Sequence, residues 1–245
     1  MFFMDKFQLQ DNEYIFPYHY LTSLDNGVPN IYKRLSWGYE YITYLDFIHR
    51  HIEQKIKPVT LLDIGCGDGY LINNFIYEAN KLYKGIDLSE RAIGFAKAFS
   101  NGYEFESIDL FKINTQFDVV CLIEVLEHIP DDMLQSFVTE AFSKVEIGGY
   151  IIIAVPTTVD KVHKKHYRHY DESLLRGQCD QDNFELVEEV RLYKKSSILE
   201  RLIKFSQRRS SKTLKRMVWN WHKKNTYFAD MNTGKHLIAI YKRTS

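Results

Sequence analysis

Long apolar runs are missing from this chain. The longest covers residues 150–156, far short of the roughly 20 apolar residues a membrane-spanning helix needs. Cysteine is scarce: Cys66, Cys121 and Cys179 are the three in 245 residues. They fall in a glycine-rich turn, an apolar segment and a polar one, so no disulfide framework is indicated and a reducing cytoplasm is expected. The opening MFFMDKFQLQ is charged at Asp5 and Lys6 and lacks the apolar centre of a secretion signal. Internal repeats, low-complexity tracts and net charge are also absent. What remains is a chain with 45% hydrophobic residues, long enough for one α/β domain with a full core.

The most informative stretch is LLDIGCGDGY, residues 61–70. It reads as a buried strand ending in Asp63, a tight turn with Gly65, Gly67 and Gly69, and a helix. Two phosphate-binding readings fail. The dinucleotide fingerprint G-x-G-x-x-G wants a glycine where Tyr70 stands, and no lysine follows the glycines as a P-loop requires. Asp63 and Asp68 would also repel a pyrophosphate. Acids suit a cationic ligand without phosphate.

Further strands follow in order. YKGIDLS (83–89) predicts a second strand ending in Asp87, and YEFESIDLF (103–111) a third ending in Asp109. FDVVCLI (117–123) and GGYIIIAVPT (148–157) predict the fourth and fifth. FELVEEVRLY (184–193) and KHLIAIYKR (235–243) predict the sixth and seventh. Strands alternating with helical patterns imply a mostly parallel sheet with helices on both faces. A carboxylate at the second strand end can accept both hydrogens of a ribose diol.

In these motifs the chain resembles the class I S-adenosylmethionine-dependent methyltransferases, over roughly 58–193 and 235–243. The resemblance implies a Rossmann-like, seven-stranded α/β fold with an antiparallel last strand. It also implies S-adenosylmethionine as cofactor, held at Asp63, Gly65, Cys66, Gly67, Gly69, Tyr70, Asp87, Leu88, Asp109 and Leu110. In the family an acid at the third strand end faces the adenine amino group, and the backbone N–H of the next residue faces a ring nitrogen.

IEVLEHIP (123–130) holds the candidate chemistry. On a helix starting near Glu124, the residues Glu124, Glu127 and His128 share one face. Two carboxylates and an imidazole suit a divalent metal, Mg²⁺ or Mn²⁺, with His166 or His169 completing the set. The competing reading makes His128 or His169 a metal-free general base, with Glu127 beside it. Similar glutamate–glutamate–histidine segments occur in small-RNA 3′-terminal 2′-O-methyltransferases and in ubiquinone-pathway O-methyltransferases, whose acceptors present adjacent oxygens. HYRHYDESL (166–174) is similar to a segment that follows the fifth strand in relatives. Its Arg168, with Lys165 and His166, is expected to bind an anionic acceptor, Arg168 as a bidentate clamp.

Charge is unevenly spread. Residues 194–224 carry eleven Lys or Arg against Glu200 alone, a net +10 balanced by −10 elsewhere. Helical periodicity predicts two helices there, about 196–208 and 212–224. This basic segment is read as a solvated face, a site for an anionic acceptor or RNA, or an attachment to an acidic membrane surface at the inner face. Three regions are expected: an aromatic-rich helical segment at 1–57, the core at 58–193 and 235–245, and a basic insertion at 194–234. The aromatic segment contains Tyr18, Tyr20, Tyr32, Trp37, Tyr39, Tyr41, Tyr44 and Phe47, with a helix at about 37–55. The expected function is O-methylation of an anionic sugar-containing acceptor, a glycan or a nucleotide- or lipid-linked sugar. The alternatives are a 3′-terminal ribose of RNA and a non-catalytic S-adenosylmethionine-binding module.

Overall fold

Apolar runs at 60–64, 82–87, 117–123 and 145–156 become parallel strands because both of their faces are covered. The computed structural model describes residues 6–12, 14, 23–31, 38–75, 77–209 and 211–245. Tyr18, Tyr20, Tyr32 and Trp37 lie outside the described residues. Helix α1 (Lys6–Asp11) precedes a hairpin of β1 (Ser23–Asp25) and β2 (Val28–Asn30) and helix α2 (Gly38–Arg50). The core then runs β3 (Thr60–Ile64), α3 (Tyr70–Asn73), β4 (Leu82–Asp87), α4 (Glu90–Ala98), β5 (Glu104–Ser107), β6 (Phe117–Ile123), α5 (Asp131–Ser143) and β7 (Val145–Pro156). It closes with α6 (Glu172–Cys179), β8 (Phe184–Lys194), α7 (Ser197–Gln207), α8 (Lys212–Asn225), β9 (Phe228–Ala229) and β10 (Gly234–Arg243).

Eight of these strands form one sheet in the order β5-β4-β3-β6-β7-β10-β8-β9. The links from β5 through β7 are parallel, and β10 is antiparallel to both β7 and β8. From β3 the chain first builds outward through β4 and β5, then returns to lay β6 on the other side of β3. Strand order therefore reverses between β3 and β6, where Asp63 lies opposite Cys121 and Ile64 opposite Leu122. A crevice opens at the carboxyl ends of strands at such a reversal.

The two-residue period of the strands sorts their side chains between two cores. Leu61, Val119, Cys121 and Ile152 face α2, α3, α4, α7 and α8. Leu62, Val120, Leu122 and Ile153 face α5 and α6. The basic segment is thus anchored, not free: Leu199, Ile203, Val218 and Trp219 are buried in the first core with Tyr39 of α2. Ser196 and Ser211 cap the two helices by accepting from Leu199 N–H and Leu214 N–H.

Four local expectations differ from the structure. The third strand stops at Ser107, and Asp109 instead caps a short 3₁₀ turn, Leu110–Lys112, by accepting from the Phe111 N–H at 3.0 Å. The 1–57 segment contains a β-hairpin besides its helices, and α2 passes into a π-helical turn, His51–Ile56. A short edge strand, β9, pairs with β8. Finally, no helix starts at Glu124. That residue has φ +57°, a left-handed turn that a glutamate adopts at a cost, and only Leu126–His128 is helical, as a 3₁₀ turn. The three side chains therefore do not share one helical face.

Candidate active site

Two cavities meet at the strand reversal. The first, about 440 Å³, is lined by Gly65, Asp87, Leu88, Asp109, Leu110 and Phe111, with α1 lying along it through Phe7 and Gln10. The second, about 520 Å³, contains Asp63, Cys66, Gly67, Glu127, His128 and His166. Tyr14, Gly65, Glu124 and His128 line both.

Gly65 makes the junction. Its φ is +72°, and a Cβ there would come within 2.6 Å of Val125 Cγ2. Its N–H donates to the Ile86 carbonyl at 2.8 Å, and Cys66 N–H donates to the same oxygen at 3.0 Å. Gly67 N–H donates to Asp87 Oδ2 at 2.9 Å and Ser89 N–H to Oδ1 at 2.8 Å. Asp87 keeps lone pairs for a diol after accepting both. Asp63 is buried beneath the turn. Burial, with the Asp87 charge adding, lifts its pKa to about 8. A cationic ligand would favour its ionised form.

The first cavity carries apolar surface that stays open to solvent among the described residues. Phe7, Leu88, Phe111 and Met133 line it while about half exposed. Gly69 and Tyr70 line neither cavity. A Cβ on Gly69 would meet Ala96 and Phe105, and Tyr70 is buried against Tyr41. Those two residues shape the turn from behind and are not placed at a ligand. Helix α1 escaped the sequence reading because its six residues carry no strong pattern. Its Asp11 accepts from the Ser89 hydroxyl, and Lys6 Nζ lies 4.0 Å from the Tyr167 ring centroid.

In the second cavity the ligand atoms of Glu127, His128 and His166 lie within 4.8 Å of one another. Glu127 is fully buried, and among the described residues neither carboxylate oxygen has a hydrogen-bond partner. Burial and the neighbouring Glu124 push its pKa well up, so a cation is what would keep it ionised. The imidazoles are oriented by carbonyls. His128 Nδ1 lies 3.3 Å from the Lys165 carbonyl, which can only accept, so its lone pair sits on Nε2, 3.9 Å from Glu127 Oε1. His169 Nδ1 lies 2.9 Å from the Asp160 carbonyl, and its Nε2 is 2.9 Å from His166 Nδ1. In the neutral chain His166 donates from Nδ1 and keeps its lone pair on Nε2. Burial, with Lys165 adding, lowers the His128 pKa to about 4, and burial with His128 beside it lowers that of His166 to about 3. Both are neutral at pH 7.

Two expected ligands and the expected clamp are committed elsewhere. Glu124 Oε1 accepts from His236 Nδ1 at 3.0 Å, and His169 orients His166 from behind. Arg168 is buried, with Nη1 donating to the Leu126 carbonyl at 2.6 Å and Nε and Nη2 to Asp131. It holds the 3₁₀ turn against the start of α5 and is not available to an acceptor. Arg168→Ala should leave the Leu126 carbonyl with only the longer bond from Ile129 N–H at 3.3 Å, and losing the hydrogen bond from a charged group should cost about 1.5–3 kcal/mol of stability in a urea titration, with ligand affinity at the first cavity unchanged.

The sequence reading missed the second wall of this cavity. His236 of β10 sits between Glu124 and Glu40, with Nε2 2.6 Å from Glu40 Oε1. Burial alone would lower its pKa, but the two carboxylates outweigh that and raise it to about 10. Lys235 Nζ bridges Glu40 at 3.0 Å and Asp160 at 2.8 Å. A histidine opening the apolar run 237–241 was the available signal, and its partner Glu40 is 196 residues away.

The profile of a family described as Methyltransferase domain matches residues 36–218. The chain belongs to this family. Among curated proteins, this methyltransferase is 30% identical over 127 residues to a ubiquinone biosynthesis O-methyltransferase of Pelagibacter ubique, covering 49% of this chain and 50% of that one. It is 36% identical over 118 residues to the protein of that name from Aromatoleum aromaticum, covering 45% and 48%. The chain thus spans about half the length of the curated relatives it matches. The methyltransferase fold is shared with N-methyltransferase NodS of Bradyrhizobium japonicum, in complex with S-adenosyl-L-homocysteine, at TM-score 0.63 and 15% identity over 99% of this chain and 100% of that one. It is shared also with magnesium protoporphyrin IX methyltransferase of Synechocystis, with bound S-adenosylmethionine, at 0.58 and 15% over 98% of each.

S-adenosylmethionine is the cofactor of this fold, and the residues present fit it. Buried Asp63 offers a negative charge to an ammonium or sulfonium, Asp87 offers lone pairs to a ribose diol, and the half-exposed apolar ring around the first cavity suits adenine. At pH 7 free Asp63 is mostly protonated, so binding a cationic donor should expel a proton. Calorimetry at pH 7 in two buffers of different ionisation enthalpy should show release, fading by about pH 9 as Asp63 ionises beforehand. Equal heats in both buffers at pH 7 would place the donor's cation away from Asp63.

Proposed function

We propose that this protein transfers the methyl group of S-adenosylmethionine to a hydroxyl that has a second oxygen beside it, in an acceptor carrying negative charge. The observation that carries the reading is the fully buried Glu127 carboxylate, without a hydrogen-bond partner among the described residues, with ligand atoms of two neutral imidazoles within 4.8 Å of it. That set of one carboxylate and two nitrogens fits a divalent cation. With Glu124 withdrawn to His236, it suits Mn²⁺ or another transition ion better than the oxygen-preferring Mg²⁺. A cation there would supply Lewis acidity and lower the pKa of a nearby hydroxyl.

The chain's own residues do the rest. One ligand atom each of Glu127, His128 and His166 lies within 4.8 Å of the others, His128 Nε2 being 3.9 Å from Glu127 Oε1, and His169 and the Lys165 carbonyl fix the two rings. Gly65 and Glu124 border both cavities, so donor and acceptor meet there, and holding them in line supplies most of the rate. Lys161 and Lys165 line the acceptor cavity and favour an anion. The name of the curated relatives supports transfer to oxygen. The sugar-containing, anionic acceptor rests on the lysines and the paired-oxygen geometry, without the arginine clamp.

The test uses matched acceptors. Candidate catechols and sugar diols are offered with radiolabelled donor, each beside an analogue lacking the neighbouring hydroxyl. The intact acceptor should be methylated on oxygen, and the analogue should be slower by roughly two orders of magnitude, the scale of losing a buried polar contact in the transition state. Equal rates would remove the paired-oxygen requirement.

A further inference from the structure

The outer faces of α7 and α8 play no part in the site described. On α7, Ile198 and Phe205 are seven residues apart and fall on one face, 59% and 47% exposed. Arg201 and Arg208 are spaced into the same stripe and are exposed. The opposite side carries the buried Leu199, Ile203 and Ser206. On α8, Met217 is 63% exposed beside exposed Arg216 and Lys224, opposite the buried Val218, Trp219 and His222. Arg209 stacks over the Phe205 ring, 4.3 Å from its centroid.

These cations are also unneutralised. Among the described residues, Arg176, Arg191, Lys195 and Lys235 have carboxylate partners. Among the described residues, none of Arg201, Lys204, Arg208, Arg216, Lys223 and Lys224 forms an ion pair. The hairpin is fixed to the core from below, so its outer face is presented without unfolding.

We infer that the outer face of α7 and α8 docks on an anionic lipid bilayer, the basic side chains meeting headgroups while Ile198, Phe205 and Met217 enter the interface. Charge complementarity selects an acidic surface, and the apolar side chains select a bilayer over nucleic acid. A phosphate backbone rewards the arginines, but it gives isoleucine and methionine nothing to enter. This surface stands apart from the acceptor chemistry, and its test does not use turnover.

The full chain is sedimented with vesicles of phosphatidylcholine alone and of phosphatidylcholine with phosphatidylglycerol. Binding is expected only to the anionic vesicles, and it should weaken as salt is raised. Arg201→Ala/Arg208→Ala/Arg216→Ala should lower the affinity by about a hundredfold, at about fivefold per charge near the surface. Ile198→Ser/Phe205→Ser should also lower it while leaving S-adenosylmethionine affinity and the melting temperature in place, which shows that the fold is intact. Absence of binding to anionic vesicles, or binding that both variants retain, would overturn the inference. So would salt-sensitive binding to an RNA oligonucleotide with none to vesicles, which would assign the face to nucleic acid.

Discussion

Excess EDTA is expected to silence methyl transfer by this protein, and Mn²⁺ to restore it. The cause is local. Glu127 is an unpartnered buried carboxylate, and a group in that state costs several kcal/mol unless it is protonated or balanced by a cation. His128 and His166 bring neutral nitrogens to it within 4.8 Å, so on the proposed reading a cation would bind there, and its removal would leave Glu127 protonated and the acceptor hydroxyl unactivated. Glu127→Ala should lower kcat by at least about a hundredfold, with no recovery on adding metal. Donor affinity should stay near that of the parent, because the groups that fit the donor are Asp63, Asp87 and the apolar ring of the first cavity, and Glu127 is none of them. His169→Ala should give an intermediate loss, about 10–100-fold in metal affinity, since it orients His166 without facing the cation. Full turnover in EDTA, with Glu127→Ala also inactive, would make His128 a metal-free base. Full turnover by both would empty the cluster of function.

How far the site was legible depends on how local its signals are. Strands β3, β4, β6, β7, β8 and β10 lie where apolar runs placed them, and Ser196 and Ser211 mark starts of α7 and α8 within a residue of the expected ones. Such features follow from neighbours a few residues apart. Asp109 could not be placed this way. Its apolar run continues to Leu110 and Phe111, but the backbone leaves the sheet at Ser107 once Asp109 takes the Phe111 N–H. Glu124 defeated the periodicity for a related reason. Its N–H donates to Ala154 in the neighbouring strand at 2.8 Å, and its carboxylate pairs with His236, so two long-range contacts hold it in a left-handed conformation. Arg168 was misread because Asp131 and Leu126, its partners, lie 37 and 42 residues away. Pairings at that range, like His236 with Glu40, leave no trace in spacing.

Gly65→Ala is expected to cripple donor binding in the same fold. Two costs arise together. At φ +72° a Cβ crowds the following carbonyl, worth about 1–2 kcal/mol, and the same Cβ would lie 2.6 Å from Val125 Cγ2. Val125 is buried, so the turn has to move instead. That turn carries Gly67, whose N–H holds Asp87 Oδ2, and it separates the two cavities. A shift of the turn therefore releases the carboxylate that meets the donor's diol and spoils the in-line approach at once. Calorimetry should show S-adenosylmethionine affinity falling by at least about tenfold, or 1.4 kcal/mol, and turnover falling further because alignment is lost as well. The double variant Gly65→Ala/Val125→Ala separates the causes. Removing Cγ2 should return part of the affinity, and the remainder measures the left-handed strain. An unchanged affinity in Gly65→Ala would mean that this turn neither shapes the donor site nor sets the meeting point of the two cavities.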